Sequence, residues 1–145
     1  MTTLVQKTRE VPYTCEQMYA LVNNIEAYDQ FLPYCAKSTV QHRDEDEVQG
    51  TLVISAAGMS KSFTTRNLLQ HNKMIEIRLV DGPFRHLEGF WRFDEINDGC
   101  RVSFDLEFEF AGGFFSMILG PVFEQITNKM VDAFCERAEK MYAEG

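Results

Sequence analysis

Apolar and polar residues alternate with a period of two through most of the chain, then recur at steps of three or four near its end. The cleanest alternation sets Val102, Phe104, Leu106, Phe108 and Phe110 against Ser103, Asp105, Glu107 and Glu109, and predicts a strand with one buried and one wetted face. Extended readings also fall at Thr2 to Glu10, Ser38 to His42, Val48 to Ala57, Ser62 to Gln70, Met74 to Val80 and Leu87 to Ile96, with the last strand running from Arg101 to Phe110. Turn chemistry separates them: the polar run Arg43 to Glu47, Gly58, His71-Asn72-Lys73, Asp81-Gly82-Pro83 and Asn97-Asp98-Gly99. The first strand stops at Val11-Pro12, where the missing amide ends a ladder.

Helical patterns flank this meander. Thr14 with Gln17 forms a capping-box pattern, and Met18, Leu21, Val22 and Ile25 continue an apolar face. Asn23-Asn24 interrupts it and caps a second short helix carrying Tyr28, Phe31 and Leu32, which Pro33 ends. After Gly112-Gly113, the stripe Leu119, Phe123, Ile126, Met130, Phe134, Ala138 and Met141 predicts a long helix. Pro121 is read as its first turn and Tyr142 as its end, a length of roughly 33 Å at about 1.5 Å per residue.

The fold class that follows is α+β: a curved seven-stranded antiparallel sheet, two short helices and a long C-terminal helix, in a single domain over residues 1–145. Twist accumulates across seven strands and curls the sheet around its cover. One helix about 10 Å wide cannot fill that concavity, so an apolar cavity is expected. The helix contributes Leu119, Phe123, Ile126 and Met130 to its lining, the strands contribute Phe84, Leu87, Trp91, Phe93, Phe104 and Phe108, and Phe31, Leu32 and Pro33 stand at its mouth. Phe 12 in so short a chain suits an interior of this kind.

A formal net charge of -8 disfavours nonspecific contact with nucleic-acid phosphates, so DNA is not an expected partner. Cys15, Cys35, Cys100 and Cys135 are scattered without metal-ligand spacing and are read as reduced, mostly buried thiols. His42, His71 and His86 are read as solvated, and no nucleophile elbow, phosphate-binding glycine loop or metal motif is present, so neither catalysis nor a required cofactor is expected. No charged-then-apolar leader is evident, which favours a cytoplasmic setting. The uncharged run from Ala111 to Phe123 is too short to span a bilayer and is a candidate flap for transient membrane contact, peripheral at an inner membrane. Lys61, Arg66, Lys73, Arg78, Arg85 and Arg92 gather in the middle strands as a candidate basic face.

Four ordered blocks carry a resemblance across nearly the whole chain: Ile25-Glu26-Ala27-Tyr28-Asp29-Gln30-Phe31-Leu32-Pro33-Tyr34-Cys35, Phe63-Thr64-Thr65-Arg66-Asn67, Asp81-Gly82-Pro83-Phe84 leading to Leu87-Glu88-Gly89-Phe90-Trp91-Arg92-Phe93, and Phe134-Cys135-Glu136-Arg137-Ala138. The sequence resembles the START-like, or helix-grip, superfamily, and within it the coenzyme-Q-binding and ribosome association toxin family. Asp29 and Tyr34 depart from the family pattern, which often has Pro and Trp there. The resemblance implies a hydrophobic tunnel for a lipid-like molecule, with an isoprenoid quinone such as ubiquinone as the leading ligand. It also implies, for bacterial relatives, binding to the large ribosomal subunit and a block on subunit joining. Some members of the superfamily are described as polyketide cyclases. A quinone head would need donors for its carbonyls, and Tyr28, Tyr34, Arg66 and Asn67 are the candidates.

Overall fold

The computed structural model describes residues 2–143. Its strands are β1 (Thr3–Val11), β2 (Cys35–Arg43), β3 (Glu47–Ala56), β4 (Met59–Gln70), β5 (Met74–Asp81), β6 (Phe84–Ile96) and β7 (Gly99–Phe110). They form one antiparallel seven-stranded sheet in the order β1-β7-β6-β5-β4-β3-β2. The chain from β2 to β7 is thus a continuous meander, and β1 joins its last strand with Val5 opposite Leu106 and Val11 opposite Cys100. Ala57 and Gly58, with φ of 52° and 77°, make the two-residue turn between β3 and β4, in the left-handed conformations that match strand twist.

Helix α1 (Cys15–Asn23) and a 3₁₀ helix (Ile25–Gln30) lie between β1 and β2. The capping box forms as expected: the Gln17 amide donates to Thr14 Oγ1 at 3.0 Å and the Thr14 amide donates to Gln17 Oε1 at 2.9 Å. The second short helix ends at Gln30, before Phe31 and Leu32, because the chain tightens to i→i+3 bonding that runs out within two turns.

Helix α2 (Phe114–Tyr142) starts seven residues earlier than the proline suggested. Gly112 and Gly113, with φ of 96° and 102°, make the bend out of β7, and the helix begins directly after them. Pro121 is therefore inside the helix, where its ring removes the bond to the Met117 carbonyl. Both residues are exposed, so water can satisfy that carbonyl. Met141 is 52 % exposed and lies outside the packed stripe. No helix among the described residues is long and apolar enough to cross a membrane.

The sheet curls around α2. Register shifts interrupt β2–β3, β4–β5 and β6–β7, and each such irregularity sharpens the local twist. At Gly89, in the middle of β6, a Cβ would stand 2.1 Å from the Asp105 carbonyl oxygen, so only glycine allows β7 this close. The core lies between the concave face and the helices. Trp91 stacks on Phe104 at 4.3 Å and meets the edge of Phe134 from α2 at 5.2 Å.

Candidate functional site

On each strand the concave face takes every second residue. On β4 these are Phe63, Thr65 and Asn67, on β3 Leu52 and Ile54, on β5 Ile77, and on β6 and β7 Leu87, Trp91, Phe104 and Leu106; all line one cavity. Helix α2 closes it with Phe123, Ile126, Thr127 and Met130, and the segment after α1 closes its end with Ile25, Tyr28, Leu32 and Cys35. The enclosed volume is about 70 Å³, enough for several water-sized spheres at roughly 10–15 Å³ each. A second void of about 20 Å³ adjoins it, lined by Phe84, Phe110 and Leu119. Phe63 and Phe123 belong to both linings and meet edge to face at 5.5 Å, forming a partition of two rings.

Polar groups in the main cavity are few and mostly engaged. The Thr65 hydroxyl donates to Asn67 Oδ1 at 3.0 Å, which leaves the Asn67 amide nitrogen without a partner among the described residues. Asn67 is 7 % exposed. The Thr127 hydroxyl donates back to the Glu124 carbonyl at 3.0 Å, and the Tyr28 hydroxyl donates to the Val22 carbonyl. Burial, followed by the neighbouring Cys35, raises the Tyr28 pKa and keeps the phenol neutral. Burial, followed by the Asp29 charge, pushes the Cys35 thiol up to about 11. Among the described residues the lining holds no carboxylate, imidazole or ammonium group, and its titratable side chains are Tyr28 and Cys35, both of which burial keeps protonated.

Of the predicted lining residues, Leu32, Leu87, Trp91, Phe104, Phe123, Ile126 and Met130 do line the main cavity. Phe84 and Leu119 line the smaller void instead, and Phe108 packs against Phe123 behind it at 4.8 Å. Phe93 is buried but lies under α1, edge on to Tyr19 at 5.7 Å. Phe31 leans on Phe134 at 5.1 Å with the Arg137 guanidinium 5.2 Å from its ring, and Pro33 lies half-buried beyond it, so neither forms a mouth.

Among the candidate head-group contacts, only Asn67 faces the cavity with a spare donor. Arg66 is on the opposite face of β4, half-exposed, with Nε 3.8 Å from Glu47 Oε2. Tyr34 is exposed on the turn before β2, with φ of 61°. Tyr28 contributes its ring, but its hydroxyl is already committed to the backbone. The residues that sequence reasoning missed are chiefly Phe63 and Thr65, which share the parity of Asn67 on β4, and Leu52 and Ile54, which lie opposite that parity on β3, and the alternation was the signal available.

The convex face is chemically different. Arg78 pairs with Glu76 at 2.9 Å and approaches Glu88 at 3.8 Å, Arg92 pairs with Asp94 at 3.1 Å, and Arg85 lies 3.7 Å from Glu109. The candidate basic face is therefore interleaved with acids and is not a stripe of one sign. Glu88 and Glu107 face each other across β6 and β7, and the His86 ring lies between them, 2.5 Å from Glu107 and 3.7 Å from Glu88. A histidine and two carboxylates can bind a divalent ion, but here the three are surface groups on the far side of the sheet from the cavity.

Residues 11–135 match the family described as polyketide cyclase/dehydrase and lipid transport. The chain is 38% identical over 143 residues to the ribosome association toxin RatA of Pseudomonas aeruginosa, covering 98% of this chain and 99% of that one. It is 26% identical to the mitochondrial coenzyme Q-binding protein COQ10 of Dictyostelium discoideum, over 94% of this chain and 69% of the relative. The fold superposes on the crystal structure of the Zhui aromatase/cyclase from Streptomyces sp. R1128 with a TM-score of 0.81, over 100% of this chain and 99% of the other, at 16% identity. With the helix-gripping sheet, the matched segment and the near full-length identity together, the chain belongs to the polyketide cyclase/dehydrase and lipid transport family, START-like in fold, and groups there with the RatA proteins.

Proposed function

We propose that this protein works without catalysis, enclosing part of a hydrophobic molecule of the isoprenoid quinone class beneath α2. The observation that carries this reading is the apolar cavity with one inward amide, that of the buried residue Asn67, whose nitrogen has no hydrogen-bond partner among the described residues. A quinone carbonyl is an acceptor that fits such a donor, and burying a prenyl chain contributes about 0.8 kcal/mol per CH₂ toward an association cost of roughly 4–15 kcal/mol. At about 70 Å³ the cavity is smaller than ordinary ligand sites of roughly 300 Å³ and more, so uptake requires expansion. Parting Phe63 from Phe123 would join the two voids, and the glycine bend before α2 offers a hinge for that movement. Phe114 and Met117, 72 % and 77 % exposed on the first turns of α2, would meet a bilayer from which such a ligand is drawn. No cofactor is required in this reading.

The test combines mass spectrometry with a thermal shift. Protein purified from its own host should carry a stoichiometric prenylquinone in native spectra, and a short-chain ubiquinone analogue should raise the melting temperature. Asn67→Leu should weaken binding of that analogue by about 10-fold while leaving the apo protein folded. An empty protein whose melting temperature ignores the analogue sinks the proposal.

A second reading is supported by the 38% identity to RatA over almost the entire chain: association with the large ribosomal subunit through the outer surface. Co-sedimentation with that subunit at low salt supports it, and persistent absence from the subunit fraction rules it out. The two readings use opposite sides of the sheet and can both hold.

A further inference from the structure

The four cysteines are free and buried, and two of them meet. Cys15 is the first residue of α1 and Cys100 the second of β7, yet their Sγ atoms lie 2.6 Å apart at a separation of 85 positions in the sequence. This proximity is held from both sides. The capping box at Thr14 fixes where α1 starts and so aims the Cys15 side chain. The β6–β7 hairpin lies flush against the end of β1, so close that a Cβ on Gly99 would stand 1.9 Å from the Val11 carbonyl oxygen, and that contact positions Cys100 opposite Val11. Neither α1 nor the hairpin needs to be rebuilt to bring the sulfurs from this separation to a bond of about 2.05 Å.

We propose that Cys15 and Cys100 are a cross-linking site, forming a disulfide when the protein meets a hydroperoxide. Cys15, 7 % exposed against 0 % for Cys100, is the residue of the pair nearer solvent and so the one assigned the first encounter with a small oxidant. It takes one oxygen from hydrogen peroxide to become a sulfenic acid, and water leaves. The Cys100 sulfur then attacks the Cys15 sulfur, the S–O bond breaks, and the hydroxyl departs with the Cys100 proton as a second water. Two thiols are oxidised and one peroxide is reduced. Burial raises the Cys100 pKa and holds that thiol protonated in the reduced pair, so its proton is given up only as the hydroxyl departs. The product ties the start of α1 to β7 and closes a loop of over eighty residues, so the unfolded chain loses freedom.

Peptide mapping after treatment with hydrogen peroxide tests this on the intact wild-type protein. After quenching, unfolding and alkylation, two cysteines should be modified instead of four, the unalkylated mass should fall by about 2 Da, and the peptides carrying Cys15 and Cys100 should be joined. The oxidised protein should melt roughly 5–15 °C higher than the reduced one and revert with dithiothreitol. Cys15→Ser should abolish the link, as should Cys100→Ser. Four alkylated thiols after an exposure that oxidises a control dithiol overturn the proposal. So does Cys15 oxidised to a sulfinic acid with Cys100 unlinked, or a bridge between any other pair.

Discussion

Trp91 and Arg92 are neighbours in β6 and occupy different worlds. Trp91 is 2 % exposed, stacked on Phe104 and edged by Phe134, at the centre of the concave face. Arg92 points the other way, pairs with Asp94 and stands half in water. The same division runs across most of the sheet: rings and aliphatic chains face α2, and the outer face carries interleaved charges around a few apolar residues such as Leu4, Met74 and Phe90. Removing apolar area from water carries most of the stabilisation in such a fold, whereas exposed ion pairs contribute little. The concave face is thus constrained by both packing and cavity shape, and the convex face is free to be tuned for contacts with partners.

The largest effect that tests this division is Trp91→Ala. Losing a buried ring with two aromatic partners should cost about 3–5 kcal/mol, read as a fall in the urea midpoint at unchanged slope. A loss below about 1 kcal/mol would mean that the core collapses around the gap and that the cavity is soft. Alkaline pH offers the next largest effect, and again from the concave side alone. Burial, ahead of any neighbouring charge, raises the pKa of Cys35 to about 11 and also raises those of Cys135 and Tyr28. Each group is neutral when protonated, so above its unfolded pKa the unfolded chain releases a proton that the folded one keeps. Stability from Cys35 is fully present below about pH 8.5 and declines toward pH 11, by up to about 1.4 kcal/mol per pH unit for one such group. Urea midpoints between pH 7 and 10.5 should fall, and Cys35→Ala should make the decline shallower.

Sequence patterns were most legible where a single physical rule acts alone. The β7 alternation, the Thr14–Gln17 capping box and the Asn97-Asp98-Gly99 turn each formed as expected, since each depends on a few adjacent residues. Pro121 misled because its cost depends on whether the freed carbonyl meets water, and only the packed helix shows that this side of α2 is exposed. Site residues were legible as buried without being legible as cavity-lining. Phe93 and Leu87 have equal claims by periodicity, but α1 covers one end of β6 and leaves the other over the void. On β4, Arg66 and Asn67 could not both point inward, and the phase became clear only once Phe63 was seen against Phe123. Thr14→Ala tests the most local of these readings and should cost about 1 kcal/mol, measured by chemical denaturation, because it orphans a helix amide far from the cavity.

Arg92→Ala should have the smallest effect, within about 0.5 kcal/mol of wild type by urea denaturation. Its guanidinium Nε lies 3.1 Å from Asp94 Oδ2, and both side chains are near half exposed, so the pair is solvated and screened. A double-mutant cycle with Asp94→Ala should return a coupling of about 0.2–1 kcal/mol that shrinks in 1 M salt. A larger loss that salt does not alter would locate the contribution in the arginine stem. That stem lies over the outer surface between Met74 of β5 and Ser103 of β7, its partners in register. In that case the convex face would be a packed layer in its own right, and a partner binding there would meet a preformed surface and not a mobile fringe of charges.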